Sequence, residues 1–484
     1  MNWKVISRNV GYALLVSALF MFISVVVSIS EGNDSALAAL SISFLITFIV
    51  GIFPFIFVRR SSAISLKEGY VIITLSWLLS FLFGMLPYAL WGGPFTLQNA
   101  LFESVSGFTT CGATILDRVE VLPRSLLFWR SSTHFIGGLG VVVFLLLIIP
   151  ESSPMRMRLT NMELTELSRT GYSTRTNKIV YVFAYVYLAL FVLAFIAYCF
   201  TGMRPFDAVC HAMSVVATGG FSTRSESIAA FGSRWVEAVT MLFMYLSSIH
   251  FGLLYISVIS RSLKPLANPV LKFYTLSVLL TAVVVSIGFK SNALCPTWGG
   301  ALWNGLFSTL CVSSTSGFAI MDSSLWPKWI MYLFLFTGVM CGSAGSTSGG
   351  VKADRVILLF KSMGRYVSNI LHPSSVNEVR VGKRMLSDAE VSPHLLYLCV
   401  YTFVALVSVF LSLCAGVDSD NALIASVMSL GNVGPAYGDL GTLGSYNSLS
   451  LGAKLIFSLD MFLGRVEIYP VLAVVGMLFD RKRG

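Results

Sequence analysis

Charged residues are scarce in this sequence. Asp, Glu, Lys and Arg make up 12% of the 484 residues, whereas 56% are apolar and the mean hydropathy is +0.80. A soluble domain contains about 25% charged residues, because polar groups must cover its surface. The shortage argues against a soluble enzyme, a disordered or fibrous chain and a nucleic-acid-binding protein. The sequence therefore predicts an integral membrane protein.

Paired cysteines and a cleavable leader are also missing. The eight cysteines are scattered without any Cys-x-x-Cys pair, so neither a metal site nor a disulfide framework is indicated. The apolar residues 10–30 are followed by no small-residue cleavage site, and a second apolar stretch begins almost at once. We therefore expect no cleaved signal peptide.

The sequence does contain ten apolar stretches long enough to cross about 30 Å of hydrocarbon. One of them, 329–363, is broken in its middle, and we expect the other nine to be continuous. These nine lie near residues 10–30, 36–58, 70–92, 126–149, 179–200, 236–259, 271–289, 394–416 and 453–479. The pattern predicts an all-α membrane protein with both termini on the same side.

Lysine and arginine are concentrated in alternate connections. The N-terminal residues and the segments 59–68, 151–178, 261–272, 352–390 and 480–483 hold 23 of the 33 Lys and Arg and 9 of the 23 Asp and Glu. The remainder of the chain holds 10 and 14, respectively. Because an excess of Lys and Arg marks cytoplasmic loops, we predict that these segments and both termini are cytoplasmic. The net charge of +10 then requires no nucleic-acid partner.

Four shorter apolar segments lie in the outward connections, at 95–108, 205–217, 300–314 and 420–430. They are too short to cross the membrane and too apolar for ordinary loops, so they are typical of half-helices that enter from outside and return. Non-helical backbone at membrane depth is tolerated only where protein or a water-filled cavity surrounds it. Four such segments imply one shared cavity.

The ends of these segments align as four copies of one unit. They are SGFTTCGATIL (106–116), SVVATGGFSTR (214–224), VSSTSGFAIMD (312–322) and SLGNVGPAYGD (429–439). The aligned glycines, Gly112, Gly220, Gly317 and Gly434, are 108, 97 and 117 residues apart. The repeat predicts an N-terminal hairpin at 1–68 and four units at 69–150, 151–265, 266–390 and 391–484.

The glycine loops have the properties of a cation filter. A dehydrated monovalent cation needs several oxygen ligands, and rings of backbone carbonyls supply them. Glycine adopts at low cost the backbone conformations that turn carbonyls toward one axis. One chain with four copies would therefore form a monomeric pore. The alternative is close helix packing by small residues, a role that we assign to Gly137, Gly138 and Gly140 in the fourth span.

Two further motifs are GSAGSTSGGVK (342–352) and FLGRVEIYP (462–470). With these two motifs and the four glycine loops, the chain resembles the Trk/Ktr/HKT superfamily of potassium transporters, and within it the TrkH-type bacterial membrane subunit. The resemblance covers almost the whole chain. It implies four membrane–pore–membrane repeats around a pseudo-fourfold pore, two extra N-terminal transmembrane helices, and a homodimer with one pore per subunit. Potassium is then the substrate, and no cofactor is bound covalently.

The resemblance also implies which residues form the filter and hold K⁺. They are Thr110, Cys111, Gly112, Ala113, Thr218, Gly219, Gly220, Phe221, Thr315, Ser316, Gly317, Phe318, Asn432, Val433, Gly434 and Pro435. Members that admit sodium often have serine at the first filter glycine, so Gly112 favours potassium. Cys111 stands where the family commonly has threonine, a departure that bears on fine selectivity.

The middle of the interrupted pass is a poor helix former. It consists of Gly342, Ser343, Ala344, Gly345, Ser346, Thr347, Ser348, Gly349 and Gly350. Backbone that is not helical at this depth must face the aqueous cavity, where a flexible polar strip can obstruct ion flow. The resemblance implies an intramembrane gate here.

The same segment is partly similar to two catalytic motifs. GSTSGGVK is similar to a Walker A motif, but Val351 occupies the lysine position and an apolar helix precedes it. A serine protease dyad would need His134 or His250 near Ser348, yet each histidine lies on another span without a carboxylate to orient it. We expect no enzymatic activity.

Arg465 lies in the middle of the last predicted span, where a charge costs at least about 2.5–3.5 kcal/mol. Glu467 is two positions away and so lies on another face of a helix. A pore-facing arginine would repel cations, and the resemblance places it in the permeation path as part of the gate. A structural ion pair between helices is the alternative, and we assign a structural role to Arg130, nearer a span end.

The segment 352–390 is the largest basic segment. Topology and contact with anionic lipid explain its charge. The resemblance suggests in addition that a cytoplasmic nucleotide-binding regulatory subunit, TrkA-like, docks on this face.

Three functions compete. The first is a gated potassium pore for uptake across the bacterial cytoplasmic membrane. The second is a proton- or sodium-coupled symporter, which needs midplane carboxylates, and the candidates are Glu103, Asp460 and Glu467. The third is a membrane enzyme or pump subunit, whose catalytic residues the sequence lacks. The sequence favours the pore.

Overall fold

The computed structural model describes residues 1–58, 65–148, 176–373, 378–381, 384–434, 436 and 438–480. Most of the predicted basic segment 151–178, part of 59–68, residues 481–483 and Pro435 lie outside the described residues. The N-terminal hairpin consists of α1 (Trp3–Ser30) and α2 (Leu37–Phe57). Its two helices pack along each other, and α1 also packs on the first repeat.

The rest of the chain repeats one pattern of a long helix, a short helix and a second long helix. Repeat 1 contains α3 (Leu66–Gly84), α4 (Leu86–Trp91), α5 (Leu97–Phe108) and α6 (Arg124–Ile148). Repeat 2 contains α7 (Thr176–Phe200), α8 (Pro205–Val216), α9 (Arg234–Ser247) and α10 (Phe251–Ile259). Repeat 3 contains α11 (Pro269–Ser291), α12 (Trp298–Ser313), α13 (Lys328–Met340) and α14 (Ala353–Leu371).

A small hairpin separates repeats 3 and 4. Its strands, β1 (Val379–Val381) and β2 (Arg384–Leu386), pair antiparallel with Arg380 opposite Met385. Repeat 4 contains α15 (Asp388–Cys414), α16 (Ser419–Leu430), α17 (Leu451–Arg465) and α18 (Tyr469–Asp480). The four short helices α5, α8, α12 and α16 are the predicted half-helices. Twelve residues of α-helix span about 18 Å, so α5, α8 and α16 reach only partway across a bilayer.

Six spans in the described part of the chain are long and apolar enough to cross a membrane without a break. They are Trp3–Ser30, Leu37–Phe57, Lys67–Trp91, Tyr181–Phe200, Pro269–Ser291 and Asp388–Cys414. The prediction of an all-α membrane protein is confirmed. The prediction of nine continuous spans is wrong, because 126–149, 236–259 and 453–479 are all broken.

The second long helix is broken in every repeat, not only in the third. Repeat 1 has non-helical backbone at Gly140 (φ +73°), and α9 and α10 of repeat 2 meet at 98°. In repeat 3 the helix stops at Met340 and resumes at Ala353, as predicted. In repeat 4 the break follows Arg465, where Glu467 and Ile468 have φ of +59° and +28°.

The repeats pack in a closed cycle. The second long helix of each repeat contacts the half-helix of the next, and that of repeat 4 contacts the half-helix of repeat 1. The pairs are α6 with α8, α9 with α12, α13 with α16, and α17 with α5. A closed cycle of four similar units brings the ends of the half-helices to a common axis.

The three glycines of α6 have different roles. A Cβ at Gly137 would lie 1.8 Å from the Phe108 carbonyl oxygen, and one at Gly138 would lie 2.6 Å from the Ala217 Cβ, so both allow close packing. Among the described residues a Cβ at Gly140 would meet nothing within 4 Å, and the positive φ of Gly140 forms the break. The packing role of Gly140 stays a prediction.

We expect Gly137→Ala to destabilise the protein, because the added methyl overlaps backbone that cannot move without shifting α5. Overpacking of this kind costs about 1–3 kcal/mol. Thermal unfolding in detergent should show a lower Tm. Gly476→Ala is the matched control, since its Cβ would meet no described residue within 4 Å. Equal Tm values for the two variants would contradict this packing role.

Candidate ion pathway

All four half-helices end in the same backbone motif. The residue after the last turn has a left-handed conformation, with φ of +56°, +56°, +60° and +53° at Thr110, Thr218, Thr315 and Asn432. The N–H of the following residue bonds to the carbonyl five positions back, as in Cys111 to Ser106 at 3.0 Å. This is the Schellman motif, which usually has glycine at the left-handed position. Three β-branched threonines there are strained, and such strain clusters at functional sites.

The aligned glycines follow two residues later and have left-handed backbone as well. Their φ angles are +84°, +83°, +67° and +93° at Gly112, Gly220, Gly317 and Gly434. The same pair of left-handed residues thus occurs in each of loops 1 to 4, which we define as residues 110–113, 218–221, 315–318 and 432–435. Each loop brings its backbone to the end of its half-helix in the same conformation.

The loops touch one another in cyclic order through backbone. A Cβ built at Gly112 would lie 2.1 Å from the Gly219 oxygen, one at Gly220 would lie 2.1 Å from the Ser316 oxygen, and one at Gly434 would lie 2.2 Å from the Cys111 oxygen. Loop 4 therefore abuts loop 1, loop 1 abuts loop 2, and loop 2 abuts loop 3. Gly112, Gly220 and Gly434 therefore converge, and each of these three leaves room for a carbonyl of a neighbouring loop.

Loop 4 departs from the other three. Its left-handed residue is Asn432. The side-chain amide nitrogen of Asn432 donates to the Thr109 carbonyl at 3.2 Å, and the amide oxygen accepts the backbone N–H of Arg465 at 3.1 Å. The Gly434 carbonyl accepts a hydrogen bond from the Tyr446 hydroxyl at 2.9 Å, so this carbonyl already has a partner within the protein. Of the sixteen residues predicted for the filter, Pro435 lies outside the described residues, and the other fifteen lie in these loops.

Four junctions between neighbouring repeats close the ring on the predicted external side. They are Val119 N to Ser225 Oγ (2.9 Å), Ala319 N to Ser227 Oγ (3.1 Å), Ser323 N to Thr442 Oγ1 (3.0 Å) and Tyr446 N to Thr114 O (2.8 Å). At the first junction burial opposes ionisation of Glu120, but hydrogen bonds from Ser225 outweigh it and hold the pKa of this carboxyl below its usual value. The carboxylate is therefore charged at neutral pH.

The loop 342–350 lies directly beneath loops 1 to 4. The Thr347 hydroxyl donates to the Val216 carbonyl at the end of α8, at 2.9 Å. The Gly349 N–H donates to Thr315 Oγ1 in loop 3 at 2.8 Å, and a Cβ at Gly349 would lie 2.3 Å from the Gly431 oxygen. The loop thus contacts the ends of three half-helices.

The break in repeat 2 holds this loop in place. Ser343 N donates to the Ser248 carbonyl at 3.0 Å, and Phe251 N donates to the Gly345 carbonyl at 3.0 Å. Both groups on repeat 2 are left without helical partners by the break, so the loop satisfies them. Sequence reasoning missed this contribution.

Arg465 forms hydrogen bonds with two other repeats. One guanidinium nitrogen donates to the Thr347 carbonyl at 2.9 Å, and the other donates to the carbonyls of Gly137 at 2.7 Å and Gly138 at 3.3 Å. The side chain therefore connects repeat 4 to the loop of repeat 3 and to α6 of repeat 1. That Arg465 faces the pore stays a prediction.

A cavity of about 720 Å³ opens below this level. Residues 345–350 and the side chains of Lys352, Arg355, Arg465 and Glu467 line part of it. Glu467 forms an ion pair with Arg355 at 2.6 Å, and the Arg355 guanidinium lies 3.9 Å from the Tyr397 ring centre. The interhelical ion pair at this depth is made by Glu467, on the break after Arg465.

The histidines and the serine considered for a catalytic dyad have other hydrogen-bond partners. His134 Nδ1 lies 3.0 Å from Ser214 Oγ, and its ring stacks on Phe221. His250 Nδ1 accepts the Gly252 N–H as a helix cap, and the Ser348 hydroxyl pairs with Ser346 at 2.8 Å. Within the described residues no cluster of three or more metal-ligating side chains exists.

Comparison with known proteins agrees with this architecture. Residues 37–480 match the family model TrkH, cation transport protein. Trk system potassium uptake protein TrkG of Escherichia coli K12 is 30% identical over 488 residues, or 99% of each chain, and TrkI of Halomonas elongata is 31% identical over 99% of this chain and 98% of its own. The crystal structure of the potassium transporter TrkH from Vibrio parahaemolyticus superposes with a TM-score of 0.87 at 27% identity over 98% of both chains. The chain belongs to the TrkH family of cation transport proteins.

Proposed function

We propose that this protein takes up potassium across the bacterial cytoplasmic membrane through a channel-like pore with a carbonyl selectivity filter. The observation that carries the proposal is the contact of four loops that share one backbone conformation, with Gly112, Gly220 and Gly434 each making room for a neighbouring carbonyl. Such a ring can replace the hydration shell of a monovalent cation. The relatives named as potassium uptake proteins support potassium as the ion.

In this proposal loops 1 to 4 are the filter, and the loop 342–350 with Arg465 is the gate. The hydrogen bonds of Thr347, Gly349 and Arg465 support a closed gate, because a polar loop and a positive charge bonded at the ends of the half-helices would obstruct a cation leaving them. The C-terminal ends of the half-helices also point toward this level, and their partial negative charge favours a cation. Opening then requires the loop and Arg465 to leave the axis together.

The proposal includes control from the cytoplasm by a nucleotide-binding, TrkA-like subunit, and a homodimer with both termini inside. The support for cytoplasmic control is the position of α14, which begins at Ala353 directly after the gate loop. The Ala353 N–H donates to the Gly342 carbonyl at 3.1 Å, so a displacement of α14 would pull on the loop. Exposed Phe360 and Tyr366 and the basic Lys361 and Arg365 offer a docking surface there.

The carboxylates needed for ion-coupled transport have other partners. Glu103 and Glu467 form ion pairs with Arg130 and Arg355, and Asp460 accepts a hydrogen bond from Ser408. Glu103 and Glu467 are already neutralised by arginines and are therefore poorly suited to bind a coupling ion, whereas the serine hydroxyl does not neutralise Asp460. For Glu103 and Glu467 the ion pairs support a pore over a symporter.

Flux measurements on the purified protein in liposomes test the proposal. We expect potassium to move down its gradient in either direction, with a reversal potential that follows the potassium gradient and does not shift when a proton or sodium gradient is imposed. Sodium should carry little flux. A reversal potential that moves with the proton or sodium gradient would instead establish the symporter, and equal sodium and potassium fluxes would refute a selective filter.

A further inference from the structure

A buried ion pair lies directly behind loops 1 and 2. Glu103 on α5 and Arg130 on α6 are 2.6 Å apart, and their side chains are 0% and 3% exposed. Two charges in such a place are costly unless all their hydrogen-bonding groups are used. The contacts of each side chain therefore indicate what the pair holds.

Glu103 holds the end of loop 1. Its carboxylate accepts the Thr114 hydroxyl at 3.0 and 3.1 Å and the Ile115 N–H at 3.0 Å. These two residues follow loop 1 immediately. The Thr114 carbonyl in turn accepts the Tyr446 N–H at 2.8 Å, so the same anchor extends to repeat 4.

Arg130 holds the end of loop 2. It donates to the Ser222 carbonyl at 3.0 Å, and its guanidinium lies 3.4 Å from the centre of the Phe221 ring. Phe221 is the last residue of loop 2, and Ser222 follows it. Since Arg130 belongs to repeat 1, this contact fixes loop 2 relative to loop 1.

The other repeats lack this arrangement. Counting nine residues back from each filter glycine, the position of Glu103 is occupied by His211, Ser308 and Ala425. His211 Nε2 lies 2.9 Å from Ser222 Oγ, so it adds a second anchor to loop 2. Loops 3 and 4 have only a small residue there. The charged support is therefore concentrated behind one half of the ring.

We propose that Glu103 and Arg130 are positioning residues that fix loops 1 and 2 and so determine how strongly the filter prefers potassium over sodium. A carbonyl ring that can contract accommodates the smaller sodium ion, whereas a ring held at its outer ends keeps the larger spacing. This inference rests on the proposed function and assigns a specificity role to residues that do not touch the ion.

The test compares the potassium-to-sodium flux ratio in liposomes for Glu103→Gln and Arg130→Lys. Glutamine keeps the shape of Glu103 but removes the charge, and lysine keeps the charge of Arg130 but loses the planar fork that reaches both partners. We expect each variant to lower the ratio about tenfold, within the coupling range of contacting residues, with sodium flux raised. Thr114→Val, which removes one donor and no charge, should lower it about twofold to threefold.

Arg124→Gln is the matched control, since it breaks an ion pair with Glu31 that is 2.8 Å long but exposed. Its ratio should equal that of the wild type. If Glu103→Gln fails to give folded protein, the double variant Glu103→Gln/Arg130→Gln avoids an unpaired charge and should fold with a lowered ratio. Folded variants with a wild-type ratio would overturn the positioning role, whereas a wild-type protein without potassium preference would overturn the proposed function itself.

Discussion

A Gly112→Ser variant is expected to lose its preference for potassium over sodium. The Cβ would lie 2.1 Å from the Gly219 carbonyl oxygen, which no side chain can approach so closely. Loop 2 must therefore turn this oxygen away, and the filter loses a ligand. A buried polar partner of this kind is worth about 1–3 kcal/mol, so the flux ratio should fall about tenfold to hundredfold.

A second glycine separates the effect of backbone strain at position 112 from the effect of displacing the Gly219 carbonyl. Gly112 has φ of +84°, and any L-residue there is strained. Gly202 has the same φ of +84°, but a Cβ on it meets nothing within 4 Å. Gly202→Ser should lower stability and leave the ratio unchanged. Equal changes of the ratio in both variants, or a wild-type ratio for Gly112→Ser in liposome flux, would contradict a role for the displaced Gly219 carbonyl.

The half-helices and their loops could be predicted because each depends on local sequence. A short apolar segment that ends in a glycine tetrapeptide occurs four times, and α5, α8, α12 and α16 lie where those segments predicted them. The interruption at 342–350 was predictable for the same reason, since four glycines among nine residues disfavour a helix. The repeat also identified which residues of the four loops correspond.

The breaks in the other second helices could not be predicted in the same way. Ser248, Ile249 and His250 are compatible with a helix, and the break there is stabilised by hydrogen bonds to Ser343 and Gly345, about a hundred residues away. In repeat 4 a local signal did exist, because Pro470 lacks an N–H and favours the start of a helix. The break in repeat 2 therefore depends on tertiary contacts, whereas the break in repeat 4 is indicated by a proline in the local sequence.

The partners of charged residues were the least predictable part of the site. The cost of a charge at membrane depth indicated that Arg465 faces the cavity. Its contacts with Gly137 and Thr347, which are 328 and 118 residues away, depend on the closed cycle of repeats. The same is true of Arg130 and Ser222, whose contact exists only because repeats 1 and 2 are neighbours in the ring.

Arg465→Ala should raise potassium flux through the closed protein about tenfold or more. The substitution removes a positive charge from the axis and the hydrogen bonds that join the Thr347 carbonyl to the Gly137 carbonyl across it. Hydrogen bonds to a charged donor contribute about 1.5–3 kcal/mol each, so the loss of both favours the open state by more than a factor of ten. A deletion within 342–350 should act in the same direction.

Lysine at the same position separates charge from bridging. Arg465→Lys keeps a cation near the axis but lacks the planar fork that reaches Thr347 and Gly137 together. If repulsion alone limits flux, this variant behaves like the wild type; if the bridge holds the gate closed, its flux approaches that of the alanine variant. We expect an intermediate flux, because both effects act at one point. Liposome flux that is the same in all three proteins would remove Arg465 from the gate.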